Sequence, residues 1–340
     1  MKLFKENLFK VLNGMSIGII VALIPQAILG NIIGLFDAPL LMMFMSFSTT
    51  LLCLTIGICI GLQFKLDPIS LCVLAVTTMA SGGAVRGIVD GVIQVQGSGD
   101  VLNATIGAVL SLLLIQYLGP RLKAYKLLVL PGLSLLLVGA ITSFTAGPVG
   151  AVTTYIGMMV EHFTTLQPLL MSILIAVSFA LIIISPLSTV AVALLIQLSG
   201  TGSAAANVGI TAFAMSLAIL NYPSNGLGTA LVHFLGSPKI QMPNFFKAPI
   251  MAVPGLAAGA VAAIFVPIFG AVGTPMSAGF GVSGGIGPLG HLGLTGYDPY
   301  NIFVAIFVFI AVPAISAFAM VLIFRNWLKI VTDEQYKLDI

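Results

Sequence analysis

The sequence predicts an all-α polytopic membrane protein of about ten transmembrane segments, several broken or re-entrant, with an internal repeat. Three observations predict it. The chain carries 13 Lys+Arg and 10 Asp+Glu in 340 residues, 7 % charged, where soluble domains carry about 25 %. Hydrophobic residues make up 59 %, and mean hydropathy is +1.16. Apolar runs of spanning length recur from end to end, separated by short basic or Gly/Pro-rich breaks. A soluble protein needs a polar shell that this composition cannot supply. A cytosolic enzyme, a nucleic-acid binder, a disordered regulator and a disulfide-stapled module are therefore excluded, and the net charge of +3 carries no message about nucleic acid.

Taken in order, spanning candidates fall at roughly residues 12–36, 39–63, 101–118, 127–146, 168–184, 203–221, 249–271 and 301–325. The first follows a basic start like a signal peptide, but its apolar run continues without a small-residue cleavage site, so it stays as a helix. Two shorter runs, 68–81 and 186–199, start at Asp67-Pro68 and Ser185-Pro186 and end in Gly-rich turns. Short Gly/Pro-bounded segments suggest broken or tilted helices around a cavity buried in protein. Basic residues gather at Lys2/Lys5/Lys10, Lys65, Arg121/Lys123/Lys126, Lys239/Lys247 and Arg325/Lys329/Lys337. Counting both short runs as crossings puts every cluster, and both termini, on the cytoplasmic side. The segments around Asp37, Arg86–Asp100, Gly147–Gln167 and Val272–Asn301 then lie outside or fold into the membrane.

Two halves resemble each other. PISLCVLAVTTMASGGA from Pro68 lines up with PLSTVAVALLIQLSGTG from Pro186, and the run from Asn103 with that from Asn207. Tyr125–Leu133 lines up with Phe246–Leu256, and each unit then ends in a Gly/Pro-rich stretch bearing one histidine, His162 or His291. The expected division is 1–66 as N-terminal scaffold, 67–167 as the first repeat with a re-entrant His162 segment, 168–300 as the second with a Gly-rich re-entrant loop, and 301–340 as a last span and cytoplasmic tail. In repeat-built transporters, the substrate sits where corresponding broken segments meet.

Few residues here can do chemistry. Val272–Pro299 is about one-third Gly, and each Gly costs about 1 kcal/mol of helix propensity, so this run is no ordinary spanning helix. It fits a re-entrant loop that brings bare backbone to a ligand, with Ser283 and Gly284 within it. Glu161 is the only carboxylate between Asp100 and Asp298, and it stands beside His162. Ionisable groups in a membrane are functional candidates by default, and a carboxylate beside an imidazole suits hydroxyl recognition. An exposed pair at the outer interface is the alternative. Glu161, His162 and His291 are expected as polar anchors, with Asn103 and Asn207 as matched hydrogen-bonding supports. Arg86 and Asp90, four apart, could pair on one helical face, as a structural salt bridge or as part of a site. His233 is expected on an amphipathic cytoplasmic segment. Cys53, Cys59 and Cys72 read as buried small hydrophobes. No phosphate-binding Gly-Lys-Ser/Thr, Cys-x-x-Cys or His-Glu-x-x-His motif occurs, so no cofactor, metal site or catalytic residue is expected.

GSPKIQMPNFFKAP (Gly236–Pro249), the following VPGLAAGAVAA and GTPMSAGFGVSGGIGPLG resemble a known family. The chain is similar to stand-alone enzyme IIC components of the bacterial phosphotransferase system, the second IIC class that includes perfringolysin-regulator-like membrane proteins. The resemblance implies a homodimeric sugar permease of the bacterial cell membrane, working by an elevator-like motion. It also implies that separate cytoplasmic IIA and IIB proteins do any phosphorylation, since no IIA or IIB motif is visible in the chain. Sugar-binding IICs use a Glu and a His in re-entrant loops, the types of Glu161, His162 and His291. Two other readings stay open: a secondary transporter without phosphotransfer, and a solute-sensing membrane regulator.

Overall fold

The structure is a computed structural model that describes residues 2–34, 36, 38–89, 92–95 and 97–338. Among these, six helices are long and apolar enough to cross a membrane: Phe4–Gln26, Val101–Leu122, Lys126–Phe163, Gly200–Gly236, Pro249–Ile268 and Pro299–Trp327. A seventh is a pair, α2 (Pro39–Thr50) and α3 (Leu52–Gln63), bent by 51° where the sequence suggests one run at 39–63. The chain divides into two units, residues 1–26 with 32–152, and residues 27–31 with 153–340.

In the first unit, α1 (Lys2–Gly34) packs on α3 at backbone distance. A Cβ on Gly14 or Gly18 would fall 2.5 and 2.6 Å from the Cα atoms of Ile60 and Ile56. Helices in lipid gain little from hydrophobic exclusion, so such small-residue seams supply their contact. Across this seam Thr55 Oγ1 donates to Gly18 O at 2.9 Å. Next come α4 (Pro68–Ser81), α5 (Val101–Leu122) and the start of α6 (Lys126–Phe163). Asp67 caps α4 by accepting from Ser70 N, and Asp100 caps α5 by accepting from Asn103 N.

Two corrections concern this unit. The fold is that of an all-α polytopic membrane protein, with one short antiparallel hairpin among the described residues, Val85–Val89 (β1) with Val92–Val95 (β2), which is not expected from the sequence. Arg86 is on a strand and not on a helix, so residues four apart there are not helical neighbours; Asp90 lies outside the described residues. The cysteines also differ from expectation. Only Cys53 is buried, Cys59 is half-buried and Cys72 is exposed.

Helix α6 runs on through Gly147-Pro148 for 38 residues, about 57 Å, where the sequence suggests a break after 146. In an apolar setting, backbone groups satisfied within a helix are cheaper than a loop, and membrane helices tolerate an internal proline.

The second unit has the larger core. Helices α7 (Pro168–Ile184), α9 (Gly200–Leu231) and α11 (Val253–Ala263) pack closely, a Cβ on Gly209 falling 2.4 Å from Ala176 O. The run at 186–199 holds only α8 (Thr189–Leu195), seven residues or about 10 Å, against a hydrocarbon core of about 30 Å. Short helices α10 (Met242–Lys247) and α12 (Phe265–Ile268) flank α11. After the Gly-rich run come α13 (Ile286–Thr295), then α14 (Pro299–Ile306) and α15 (Val312–Val321), joined through a π-helical turn. Residues 331–338 are not a free tail. Tyr336 is fully buried, its carbonyl accepts from Asn221, Asn225 and Gln241, and its hydroxyl donates to Met251 O at 2.8 Å.

Candidate functional site

Asn207 stands two turns into α9, wholly buried. Around it the helical order of the second unit breaks twice. The first break runs from α8 into α9, with Gly200 in the left-handed region (φ 59°). The second is the stretch 270–285, which contains five glycines of positive φ: Gly270, Gly279, Gly281, Gly284 and Gly285. Other residue types would be strained there, which is why this run is so rich in glycine.

Backbone and side chains tie the two breaks together. Gly200 and Gly273 exchange both backbone hydrogen bonds, at 2.8 and 3.0 Å. Thr189 Oγ1 donates to Gly279 O at 2.7 Å, and Ser203 Oγ to Thr274 O at 2.8 Å. Asn207 Oδ1 accepts from Gly281 N at 2.9 Å and Phe280 N at 3.3 Å. Its Nδ2, equally buried, finds no partner among the described residues. A buried donor left unpaired costs about 1–3 kcal/mol, so it marks a place where a ligand acceptor would be favourable.

The Gly-rich run also turns back on itself. It leaves α12 at Phe269, and Tyr300 at the start of α14 donates its hydroxyl to Phe269 O at 3.4 Å. The stretch between therefore begins and ends at the same place. At its far turn Ser283 Oγ donates to Leu235 O at 2.8 Å. Helix α13 then returns past Asn207: a Cβ on Gly287 would lie 2.5 Å from Gly281 O and 3.2 Å from Asn207 Cβ. His291, four residues on, lies on the same face of α13. It is buried, its Nδ1 accepts from Val272 N at 3.3 Å, its ring lies 5.8 Å from that of Phe309, and its Nε2 has no partner among the described residues.

Of the seven residues expected from sequence, Asn207, Ser283, Gly284 and His291 belong to this one constellation. Glu161 and His162 are also in the second unit but sit exposed in the last turn of α6, one turn beyond Gly157, where a Cβ would meet Leu195 and Ile196 at the end of α8. Thr164 and Thr165 hydroxyls donate to the Glu161 and His162 carbonyls, closing that helix end. Asn103 is in the first unit and has no free group. Its Nδ2 donates to Ser81 O at 2.7 Å and Thr142 O at 3.1 Å, and its Oδ1 accepts from Thr145 Oγ1 at 2.6 Å. It is a tie between α4, α5 and α6.

Sequence reasoning missed Thr189, Ser203 and Thr274, which join the breaks. Hydroxyls beside Gly/Pro turns were the available signal. His233 is buried in a π-helical turn at Val232–Gly236, with Nδ1 donating to Thr229 O at 2.9 Å and Nε2 without a partner among the described residues. Lys239 was missed as well. It is buried and donates from Nζ to the carbonyls of Ser185 at 2.5 Å and Leu187 at 2.7 Å, pinning the end of α7. Burial, with no carboxylate to offset it, holds its pKa down at about 7.

No group of three or more metal-ligating side chains occurs among the described residues. A protein-family model described as "Phosphotransferase system, EIIC" matches residues 9–338. No curated protein and no solved structure matches the chain.

Proposed function

The chain belongs to the phosphotransferase-system EIIC family, and from that premise we propose that it carries a sugar across the membrane, binding it around Asn207 and His291. It is the membrane permease component of such a system. In this reading the sugar hydroxyls accept from Asn207 Nδ2 and pair with His291 Nε2, while Gly-rich backbone near Ser283 and Gly284 supplies further groups. The observation that carries the reading is the bare Asn207 amide, buried where two breaks in the helices meet. The fold-back of 270–298 supports a re-entrant segment in the bilayer. Separate IIA and IIB proteins would phosphorylate the sugar on the cytoplasmic side. Homodimer formation and an elevator-like displacement are what membership of the family suggests. Glu161 and His162, exposed as they are, would act at an entrance.

The test is a thermal-shift screen of sugars on the purified protein. A solute at 100 times its Kd adds about 2.7 kcal/mol to stability. Asn207→Ala and His291→Ala should each abolish the shift given by the best sugar while keeping a cooperative unfolding transition. Glu161→Gln should keep most of it. Asn103→Ala should lower the melting temperature and leave the shift intact, because it removes a saturated tie. Unchanged sugar shifts in both Asn207→Ala and His291→Ala would place the site elsewhere.

A further inference from the structure

The first unit carries a groove of its own. It lies between the first turns of α4 and α6, encloses about 360 Å³ and is almost wholly apolar. Ile69, Cys72 and Val76 line one wall, and Leu127, Pro131 and Leu135 the other. From Pro68 to Val76, and again from Leu127 to Leu135, is eight residues, so each wall is about 12 Å long. That is close to the depth of one leaflet, half of a hydrocarbon core of about 30 Å.

One end of the groove is charged. Lys126, the residue before Leu127, places Nζ 2.5 Å from Oδ2 of Asp67, the residue before Pro68. This contact, with the Ser70 bonds, holds the Asp67 carboxyl down at about 2, so it is ionised at any physiological pH. The loop from α3 to α4 and the junction from α5 to α6 carry Lys65, Arg121, Lys123 and Lys126, with Asp67 as the one carboxylate of those two segments; Arg121 lies over the Tyr117 ring, and Glu6 stands one turn before Lys10 on α1. Lys10 adds a fifth cation, 5.4 Å from the Phe64 ring centroid. Lys126 retains donors beyond the one spent on Asp67, and Lys65 and Lys123 are exposed. Tyr117 and Tyr125, both exposed beside these cations, are the aromatic type enriched at the headgroup level.

An apolar slot one leaflet deep, opening under a cluster of cations at the interface, matches one class of molecule. We propose that this groove is a binding site for an anionic phospholipid. One acyl chain lies between α4 and α6, and the phosphate sits over Lys126 and Lys123. A zwitterionic lipid offers the same chain but a net-neutral head, so the charge sets the preference. Each lysine within reach of an anionic headgroup is worth about fivefold in affinity.

The experiment reconstitutes the protein in phosphatidylcholine vesicles with a trace of a phospholipid bearing a diazirine on one acyl chain. The probe has either a phosphatidylglycerol or a phosphatidylcholine head. After photolysis, mass spectrometry maps the labelled residues. The phosphatidylglycerol probe should label 69–76 and 127–135 at least fivefold above the phosphatidylcholine probe. In Lys123→Gln/Lys126→Gln that excess should vanish, while labelling elsewhere on the chain stays as in the parent. Added inorganic phosphate should leave the preference unchanged. Equal labelling by both probes in the parent protein would reduce the groove to ordinary lipid contact. No labelling by either would mean that protein, such as a second copy of the chain, covers it. Either result overturns the proposal without reliance on the variant.

Discussion

Lys239 shows how burial alone can give a side chain a pH-dependent role. A lysine in water titrates near 10.5, whereas this one, held between two backbone carbonyls, does so at about 7. Between those values the unfolded chain binds the proton and the folded chain does not. Lys239 therefore makes stability climb as pH rises from about 7 towards 10.5 and adds no slope below that window. The melting temperature in detergent should rise more steeply over this range in the parent than in Lys239→Met. Parallel pH profiles would show that Lys239 keeps its proton on folding. Such a residue is hard to find from sequence, since the GSPKIQMP stretch looks like a basic cytoplasmic loop. Asn207 and His291 were legible because polar side chains are scarce in an apolar chain. Asn103 was legible for the same reason, yet its role differs from that of Asn207. Only the structure shows that the amide of Asn103 is saturated and that of Asn207 is not.

At the scale of elements, the apolar runs bounded by proline were read closely. Helices α4 and α7 occupy Pro68–Ser81 and Pro168–Ile184, the ranges that Asp67-Pro68, Gln167-Pro168 and the following breaks announce. Internal breaks were harder. Gly147-Pro148 looks like a boundary and is not, because lipid penalises an open backbone more than it penalises a proline in a helix. The β1–β2 hairpin was missed, although Asp90-Gly91 between short β-branched runs is a two-residue turn signal. The segment 331–338 was also missed, since a short polar end after a last span reads as free. Its docking predicts a measurable dependence. Tyr336→Phe removes the bond to Met251 O and should cost about 1 kcal/mol, seen as a lower melting temperature. Tyr336→Ala also empties a fully buried aromatic site and should cost about 3–5 kcal/mol. Equal stability of Tyr336→Ala and the parent would mean that the segment does not dock.

For the whole molecule, we propose the orientation that the distribution of Lys and Arg suggests. In that proposal Lys65, Arg121–Lys126, Lys239 and Arg325–Lys337 face the cytoplasm. In the first unit, Lys126 meets Asp67 at the start of α4, and Asp100 N donates to Gly82 O just past its end. The basic loops thus gather at one end of α4 and the hairpin segment at the other. In the second unit, Lys239 holds Ser185, and Tyr336 holds Asn221 and Gln241, while Gly200 pairs with Gly273 and Phe269 accepts from Tyr300. Each grouping joins segments that the proposed alternation places on the same side, provided the chain over 186–199 passes from one face to the other although α8 itself is too short to span. We therefore predict that a cysteine at position 123 is closed to an impermeant maleimide applied to intact cells and opens on permeabilisation. A cysteine at position 98, between β2 and α5, should behave in the opposite way. The natural cysteines serve as the background, since Cys53 is buried and Cys72 lies along the apolar groove. Labelling of position 123 from outside would reverse the first unit, and with it the leaflet whose lipids reach the groove beside Lys126.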